Sequence, residues 1–353
     1  MFCRVEASFI PDYYSFKKGI AMEIFLTILL FVIGIVLVVK GGDYFVDAST
    51  WIAEVSGIPK LIIGATVVSV ATTLPEMLVS IMAARDSIFE ANEKIAQGYV
   101  DISVGNAIGS VTANIGLIMA ISLICMPGII KRKDYLLKSV IMLASSLIIV
   151  VGGIMGKVNL LLSVLLLCLF VFFFTENVLN AKKAVSLSKT EEKDETLTEK
   201  KTVFINIVKF ICGAAGIVVG ARLLVNNGSD LARLAGISER IIGVTLIAVG
   251  TSLPELITTI SAISKKQSEL SVGNIIGANI MDLTLIMPLS SVVAGKALPV
   301  SQMSMLVDLP ACLLVGLIAL VPALIRKKFT KVQGLCLLAI YIVYLGLTCF
   351  LTL

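Results

Sequence analysis

The stretch GATVVSVATTLPE at residues 64–76 returns nearly unchanged as GVTLIAVGTSLPE at residues 243–255. Both copies are apolar runs of helix length in which a proline is followed at once by a glutamate, Glu76 in the first and Glu255 in the second. An ionisable side chain at membrane depth is costly, and it is retained where it faces a partner, a cavity or an ion. A matched pair of interrupted apolar segments in two halves of one chain is typical of the binding centre of a membrane carrier.

The composition places the chain in a membrane. It is 58% hydrophobic and 15% charged, with a mean hydropathy of +1.01, whereas soluble domains carry about 25% charged residues. Apolar stretches of about 20 residues can each cross a bilayer. The chain has ten of them, in two groups of five: 23–41, 61–84, 102–126, 135–155 and 158–178, then 204–226, 241–263, 270–293, 304–325 and 333–353. We therefore expect an all-α integral membrane protein with ten transmembrane helices.

The distribution of basic residues predicts how the two halves are oriented. Most of the 29 Lys and Arg lie in the loops after the odd-numbered stretches, and the positive-inside rule puts these loops in the cytoplasm. Both termini are then extracellular or periplasmic. Because each half has an odd number of spans, the halves run in opposite directions, which makes them inverted-topology five-helix repeats.

Four regions follow from this pattern. Residues 1–21 form a polar N-terminal extension, and Met22 resembles a natural start, so we expect the extension to be a start-site artefact. Residues 181–203 are polar and mixed in charge, which predicts a cytoplasmic loop. The first five-helix half covers residues 22–180 with a first repeat at 64–116, and the second covers 204–353 with a second repeat at 243–287.

Several classes of function are disfavoured by the sequence. The positive net charge of +5 reports membrane orientation, and no basic patch is interleaved with aromatic residues as in a nucleic-acid binder. The seven Cys are scattered without a C-x-x-C pair, and there is no His, so Zn²⁺ and Cu⁺ would lack their preferred ligands. No phosphate-binding GxxxxGK[ST] loop is present. We expect neither an enzyme nor a resident cofactor.

The repeated segments bring oxygen ligands together. Proline frees a backbone carbonyl one turn earlier, and hydroxyls three and four residues before each glutamate share its helical face. Each copy continues into a Gly-Asn-x-x-Gly segment, GNAIGSVTAN at 105–114 and GNIIGANIMD at 273–282, whose glycines allow close helix contact. The oxygen ligands predicted in this way come from Thr72, Thr73, Glu76, Asn114, Thr251, Ser252, Glu255 and Asp282, with carbonyls near Ser69 and Ala248. An oxygen-only set suits hard cations such as Ca²⁺.

By these motifs the chain resembles the sodium/calcium exchangers of the cation/calcium antiporter superfamily, prokaryotic type. The resemblance implies exchange of Ca²⁺ for Na⁺ by alternating access, with the first and sixth spans sliding as a unit. It implies that Glu76 and Glu255 bind either ion and that Thr72 and Thr251 belong to the Ca²⁺ site. Further roles implied in the same way are Na⁺-site hydroxyls at Thr73, Ser252 and Ser110, flanking carbonyls at Ser69 and Ala248, and a middle position formed by Asn114 and Asp282.

The chain departs from the family pattern at Ala278, where the second repeat usually has a serine. One hydroxyl of a Na⁺ site is therefore missing, and we expect weaker or altered Na⁺ coupling. Two alternatives stay open: a Ca²⁺/H⁺ antiporter, and, from a different class, a cation-gated channel or sensor. The expected partners are Ca²⁺ and Na⁺, with H⁺ or K⁺ as further candidates, and the lipid bilayer. The resemblance places the protein in a prokaryotic cell (inner) membrane.

Overall fold

A computed structural model describes residues 10–128, 132–188, 199–236 and 250–351. Within these ranges nine helices are long and apolar enough to cross a membrane, and they correspond to nine of the ten predicted spans. The predicted seventh span, 241–263, is described only from residue 250, where it includes the apolar helix Leu253–Ser264. The all-helical membrane fold is confirmed, while the count of ten stays a prediction.

The first half contains seven helices and one short strand. They are α1 (Ile10–Ser56), α2 (Lys60–Ile63), α3 (Ser69–Phe89), α4 (Glu93–Ala113), α5 (Ala120–Cys125), α6 (Arg132–Ile154), β1 (Lys157–Val158) and α7 (Leu160–Ser188). The first helix is longer than the predicted span 23–41, and it includes residues 10–21 of the predicted polar extension. Residues 1–9 lie outside the described ranges, and the start-site prediction is not tested.

The described helices of the second half follow the same order as those of the first. Its elements are α8 (Lys200–Leu234), α9 (Leu253–Ser264), α10 (Ser268–Met281), α11 (Met287–Ala294), β2 (Leu298–Pro299), α12 (Leu309–Arg326) and α13 (Lys331–Leu351). The predicted loop 181–203 is helical at both ends, since α7 extends to Ser188 and α8 begins at Lys200.

The described residues include four π-helical turns, three of which join two helices. Gly64–Val68 connects α2 to α3, Asn114–Met119 connects α4 to α5, Asp282–Ile286 connects α10 to α11, and Ser304–Asp308 precedes α12. A π-helical turn contains an extra residue and is frequent at functional sites. Two of the four begin at predicted ligands, Asn114 and Asp282.

The helices that carry the repeated motifs lie at the centre of the molecule. In the most apolar part of Ser268–Ala294, 83% of residues are buried, and in Ile95–Cys125 72% are. The corresponding share is 11% in the first span and 17% in α8. Polar motifs are thus enclosed by protein, as intramembrane polar groups require, and α1 and α8 lie at the periphery.

The two peripheral helices α1 and α8 pack closely along each other. A Cβ atom added to Gly213 of α8 would lie 2.7 Å from the backbone nitrogen of Phe45 and 2.9 Å from the carbonyl oxygen of Gly41, both in α1. Nearby, the rings of Phe45 and Phe210 are 4.8 Å apart. Small residues let backbones approach in this way within membranes, so α1 and α8 form one tightly packed unit.

Connections from the two halves meet at shared membrane faces. The strands β1 and β2 are antiparallel, with Lys157 opposite Pro299. At other connections, Lys60 Nζ donates to Gln267 Oε1 at 2.9 Å, and the amide of Phe329 donates to the carbonyl of Gly128 at 2.8 Å. These pairs lie on matching sides in the predicted topology, which agrees with two halves of opposite direction.

Candidate functional site

The first copy of the motif places its polar side chains on the buried face of α3. Thr72, Thr73 and Glu76 are each at most 2% exposed, whereas Leu74 is 42% exposed. This is the pattern expected when residues three and four apart share a helical face. Pro75 lies inside α3 without ending it, so the expectation that proline breaks this copy is wrong; the irregularity lies before α3, at the π-helical turn Gly64–Val68.

The second copy is interrupted where the sequence predicts. Thr251 and Ser252 lie in a turn, α9 begins at Leu253, and Pro254 and Glu255 occupy its first turn. Proline suits this position because its missing N–H has no helical partner there. A carboxylate in the first turn is favoured by the helix dipole. The same sequence pattern therefore places one glutamate within a helix and the other at a helix start.

The two copies interleave around one centre. The turn beginning at Asn114 contacts α9, which carries Glu255, and the turn beginning at Asp282 contacts α3, which carries Glu76. Thr73 Oγ1 lies 3.4 Å from Glu255 Oε1, a hydrogen bond between copies. The carboxyl group of Glu76 is close enough to interact electrostatically with those of Glu255 and Asp282. Three carboxyl groups thus lie within electrostatic range of one another inside the protein, without converging on one point.

Most predicted ligands are buried at this centre. Thr251 is half-buried, and Ala248 lies outside the described residues, so its carbonyl has no structural account. The Ser69 carbonyl accepts a hydrogen bond from Thr72 Oγ1 at 3.4 Å. The fully buried ones are Ser69, Thr72, Thr73, Glu76, Ser110, Asn114, Ser252, Glu255 and Asp282.

Many of these buried polar atoms have no hydrogen-bond partner among the described residues. Leaving such an atom unpaired costs about 1–3 kcal/mol, and more when it is charged, so the cluster needs a ligand. Because the unpaired atoms are mainly acceptors, a cation is the kind of ligand that would pair with them. The unpaired atoms are the two carboxylate oxygens of Glu76 and of Asp282, Glu255 Oε2, the two side-chain amide atoms of Asn114, and the hydroxyls of Ser110 and Ser252.

Carboxylates alone do not complete a metal site. In the described ranges no three Asp, Glu, His or Cys side chains are close enough to hold a metal ion by themselves. A cation here would be bound by carboxylates together with hydroxyl, amide and carbonyl oxygens. Mixed oxygen shells of this kind suit Ca²⁺, which takes about 6–8 oxygens in flexible geometry.

A layer of asparagines behind the ligands had no role in the sequence analysis. Asn274 connects the copies, since its Oδ1 accepts from Thr72 Oγ1 at 3.2 Å and its Nδ2 donates to Thr258 Oγ1 at 3.1 Å. Asn106 donates to the carbonyl of Glu76 at 3.1 Å and to Ser80 Oγ at 2.9 Å. Both belong to the repeated Gly-Asn pair, and this repetition was the signal that could have assigned them.

The glycine at position 277 sets the distance between the copies. A Cβ atom there would lie 2.6 Å from the carbonyl oxygen of Ala65 and 2.7 Å from Ser69 Oγ. Because these atoms belong to α3 and to the π-helical turn before it, α10 approaches that segment only without a side chain at position 277. Next to it, Ala278 is fully buried.

Two further sets of charged side chains, away from the cluster, have partners. Asp308 Oδ1 accepts a hydrogen bond from the Tyr344 hydroxyl at 3.0 Å. Lys265 Nζ lies 2.7 Å from Asp47 Oδ1 and donates to the carbonyl of Asp43 at 2.6 Å. These groups lie outside the central cluster.

Comparisons with known proteins cover both halves. The sequence model of the family described as sodium/calcium exchanger protein matches residues 26–177 and 205–350. An uncharacterized membrane protein, MJ0091 of Methanocaldococcus jannaschii, is 33% identical over 89% of this chain and 95% of its own length. The sodium/calcium exchanger MaX1 of Methanosarcina acetivorans is 30% identical over 90% of this chain and 97% of its own.

The fold is also similar to solved structures. A structure of the sodium-calcium exchanger NCX_Mj soaked with Na⁺ and Sr²⁺ superposes with a TM-score of 0.72 at 30% sequence identity, covering 92% of this chain and 99% of that one. The likeness extends over the whole described fold rather than one repeat.

Proposed function

Because this chain belongs to the sodium/calcium exchanger family, we propose that it exchanges Ca²⁺ for Na⁺ across the cell membrane by alternating access. It is a multi-pass membrane transporter of the cation/Ca²⁺ antiporter type and not an enzyme. The observation that supports the choice of ions is the buried cluster of unpaired oxygen atoms contributed by both copies. Membership supplies the reaction type, and the cluster supplies the chemistry.

In this proposal Ca²⁺ and Na⁺ compete for overlapping ligands. Glu76 and Glu255 bind either ion, Thr72 and Thr251 add oxygens to the Ca²⁺ site, and one Ca²⁺ or several Na⁺ neutralises the carboxylates. The remaining proposed ligands are the hydroxyls of Thr73, Ser252 and Ser110, the carbonyls of Ser69 and Ala248, and the side chains of Asn114 and Asp282. Burying unneutralised carboxylates is costly, so the site moves between faces only when it is occupied.

The transporter needs no resident cofactor in this mechanism, because the Na⁺ gradient supplies the free energy. With Na⁺ more concentrated outside, the expected direction is Ca²⁺ efflux. Both termini lie outside in the proposed orientation, and no nucleic acid is involved.

The test is Ca²⁺ uptake into proteoliposomes loaded with Na⁺, compared with vesicles loaded with K⁺ or choline at the same pH. We expect uptake only with internal Na⁺. Glu255→Gln removes a buried charge at the centre and should reduce uptake to that of protein-free vesicles. Glu269→Gln is the matched control, because Glu269 is exposed in the first turn of α10, and it should transport normally.

Ca²⁺/H⁺ exchange is the second candidate, and one observation favours it: Ala278 is fully buried where a Na⁺-site hydroxyl is expected. Uptake that ignores internal Na⁺ but follows an imposed pH gradient would replace the first proposal with this one. Uptake that needs no counter-ion inside the vesicle would instead indicate a channel.

A further inference from the structure

An apolar cleft lies on the side of α3 away from the ion cluster. It has a volume of about 520 Å³ between α3, α7 and α8, and its walls include Val70, Leu74, Phe174 and Phe210. Only Thr66 and Asn177 among its lining residues carry polar side chains. In a bilayer a cleft of this composition holds hydrocarbon, since water would find almost no hydrogen-bond partners there.

The length of the cleft matches one leaflet. Its lining runs along α2 and α3 from Ile62 to Leu74, and at about 1.5 Å per residue this is a depth of about 18 Å. Half of the hydrocarbon core of a bilayer is about 15 Å. One acyl chain, entering from the membrane surface, fits this depth.

At the end near the C-terminus of α7, the surroundings of the cleft stay mostly apolar but carry one positive charge. There it continues into a smaller cavity of about 330 Å³, and the two share Ile58, Val178 and Ala181. The smaller cavity is lined by Lys182 and Ser186. Among the described residues, no Asp or Glu lines either cavity and Lys182 forms no ion pair. An exposed lysine at the mouth of an apolar cleft complements a lipid phosphate.

An unpaired amide lies between the two ends. Asn177 is fully buried in the wall, its Nδ2 donates to the carbonyl of Phe173 at 2.8 Å, and its Oδ1 has no partner among the described residues. It lies five residues before Lys182 on α7, which is about 7.5 Å deeper. That is the depth of the glycerol backbone and its ester groups when a phosphate is at Lys182. One N–H of Nδ2 donates to Phe173, and the second is available to donate to an ester carbonyl oxygen of the lipid.

We propose that this cleft is a binding site for one anionic glycerophospholipid, with an acyl chain behind α3, the glycerol backbone beside Asn177 and the phosphate at Lys182. The inference does not depend on which ions are transported. It differs from general lipid contact in predicting a preference for headgroup charge that resides in a single lysine.

The first test is native mass spectrometry of the purified full chain with dioleoylphosphatidylglycerol or dioleoylphosphatidylcholine. We expect one retained molecule of the anionic lipid and weaker retention of the zwitterionic one. Lys182→Gln should weaken retention of the anionic lipid about fivefold, the usual effect of one basic residue near an anionic lipid surface. Lys183→Gln, the neighbouring exposed lysine that lines neither cavity, should leave it unchanged.

A second variant tests the acyl-chain part without touching the charge. Val178→Trp fills the cleft and should remove the retained lipid, whereas Val171→Trp, two turns earlier on the same face of α7 but outside the cleft, should not. Asn177→Leu should lower retention, and Asn180→Leu on the exposed surface should not.

Four results would overturn the proposal: equal retention of the two lipids, equal effects of Lys182→Gln and Lys183→Gln, displacement of the lipid by glycerol 3-phosphate, or a stable dimer whose formation blocks retention. The third would indicate a phosphate site without lipid, and the fourth a second copy of the chain in the cleft. Correct folding of each variant is checked by size-exclusion chromatography, in which it should elute as a single species.

Discussion

Ala278 and Ser110 occupy equivalent positions of the two copies, yet only one of them has a hydroxyl. Ser110 is buried with its hydroxyl unpaired among the described residues, and Ala278 is fully buried. A missing ligand changes the balance between competing ions without altering the central glutamates. Position 278 is therefore the clearest place at which the second copy differs from the first in the ligands it offers.

Ala278→Ser should raise the apparent Na⁺ affinity about two- to tenfold, because one added oxygen ligand contributes about as much as one hydrogen bond. The measurement is the Na⁺ dependence of Ca²⁺ uptake in proteoliposomes. Ser110→Ala is the matched reverse change and should lower the affinity. An unchanged Na⁺ dependence in Ala278→Ser would contradict the idea that the lost hydroxyl weakens Na⁺ binding.

At the residue scale the sequence predicts candidate ligands but not the asparagines that hold them in place. Repetition and membrane depth point to Glu76 and Glu255, since a carboxylate in lipid needs a reason. Asn274 belongs to the repeated Gly-Asn motif, but a side-chain amide can either bind an ion or hydrogen-bond a neighbouring side chain. Only the structure shows that it joins Thr72 to Thr258.

At the element scale the two prolines act differently within one motif. Pro75 lies within a continuous α3, whereas Pro254 begins α9. The sequence predicts a break at both, because proline removes a hydrogen bond and clashes with the preceding turn. The first copy stays helical where α10 packs on α3 and on the turn before it. Such tertiary contacts are not visible in a local motif. The π-helical turns at Asn114 and Asp282 were likewise not predicted.

Gly277→Ala should destabilise the protein by about 1–3 kcal/mol, as overpacking does, because the added methyl would collide with Ala65 and Ser69. It should also reduce transport by separating α10 from α3. The measurement is the thermal unfolding midpoint in detergent together with Ca²⁺ uptake. Gly346→Ala is the control, since no described atom lies within 4 Å of a Cβ there; equal losses in both variants would show that packing at position 277 is not special.

Lys265, in the connection between α9 and α10, forms ion pairs with Asp43 and Asp47 of α1 and thereby links this connection to the packed α1 and α8 unit. These side chains are partly exposed, so the pair contributes about 0–1 kcal/mol. Lys265→Gln should lower the unfolding midpoint slightly at low salt and not at high salt, because salt screens exposed charges. The neighbouring Lys266→Gln should have no such effect. A salt-independent loss in Lys265→Gln would indicate lost packing rather than lost charge.

At the scale of the whole molecule, the composition was sufficient to predict a helical membrane protein, and the repeated motif to predict its family. The spans were also placed well, because hydropathy follows bilayer thickness. Helix lengths were not, since α1 and α8 extend well beyond the apolar stretches. Which helices lie at the centre could be inferred only where polar motifs require enclosure.

The predicted orientation can be tested with single cysteines in a cysteine-free background. Lys157→Cys lies in β1 and should react with a membrane-impermeant maleimide in intact cells, because this connection is predicted to be outside. Lys182→Cys, at the basic end of α7, should react only after permeabilisation. The opposite pattern would reverse the assignment of both termini, and labelling of both in intact cells would contradict the inverted arrangement.

The inverted arrangement has an energetic consequence. If the two copies were identical, exchanging their roles would turn the state open to one face into the state open to the other, and the two would be equally populated. Asp282 opposite Asn114, and Ala278 opposite Ser110, remove that equivalence. We therefore expect the carrier to have a preferred resting orientation even with the same solution on both sides, where forward and reverse exchange fluxes still balance.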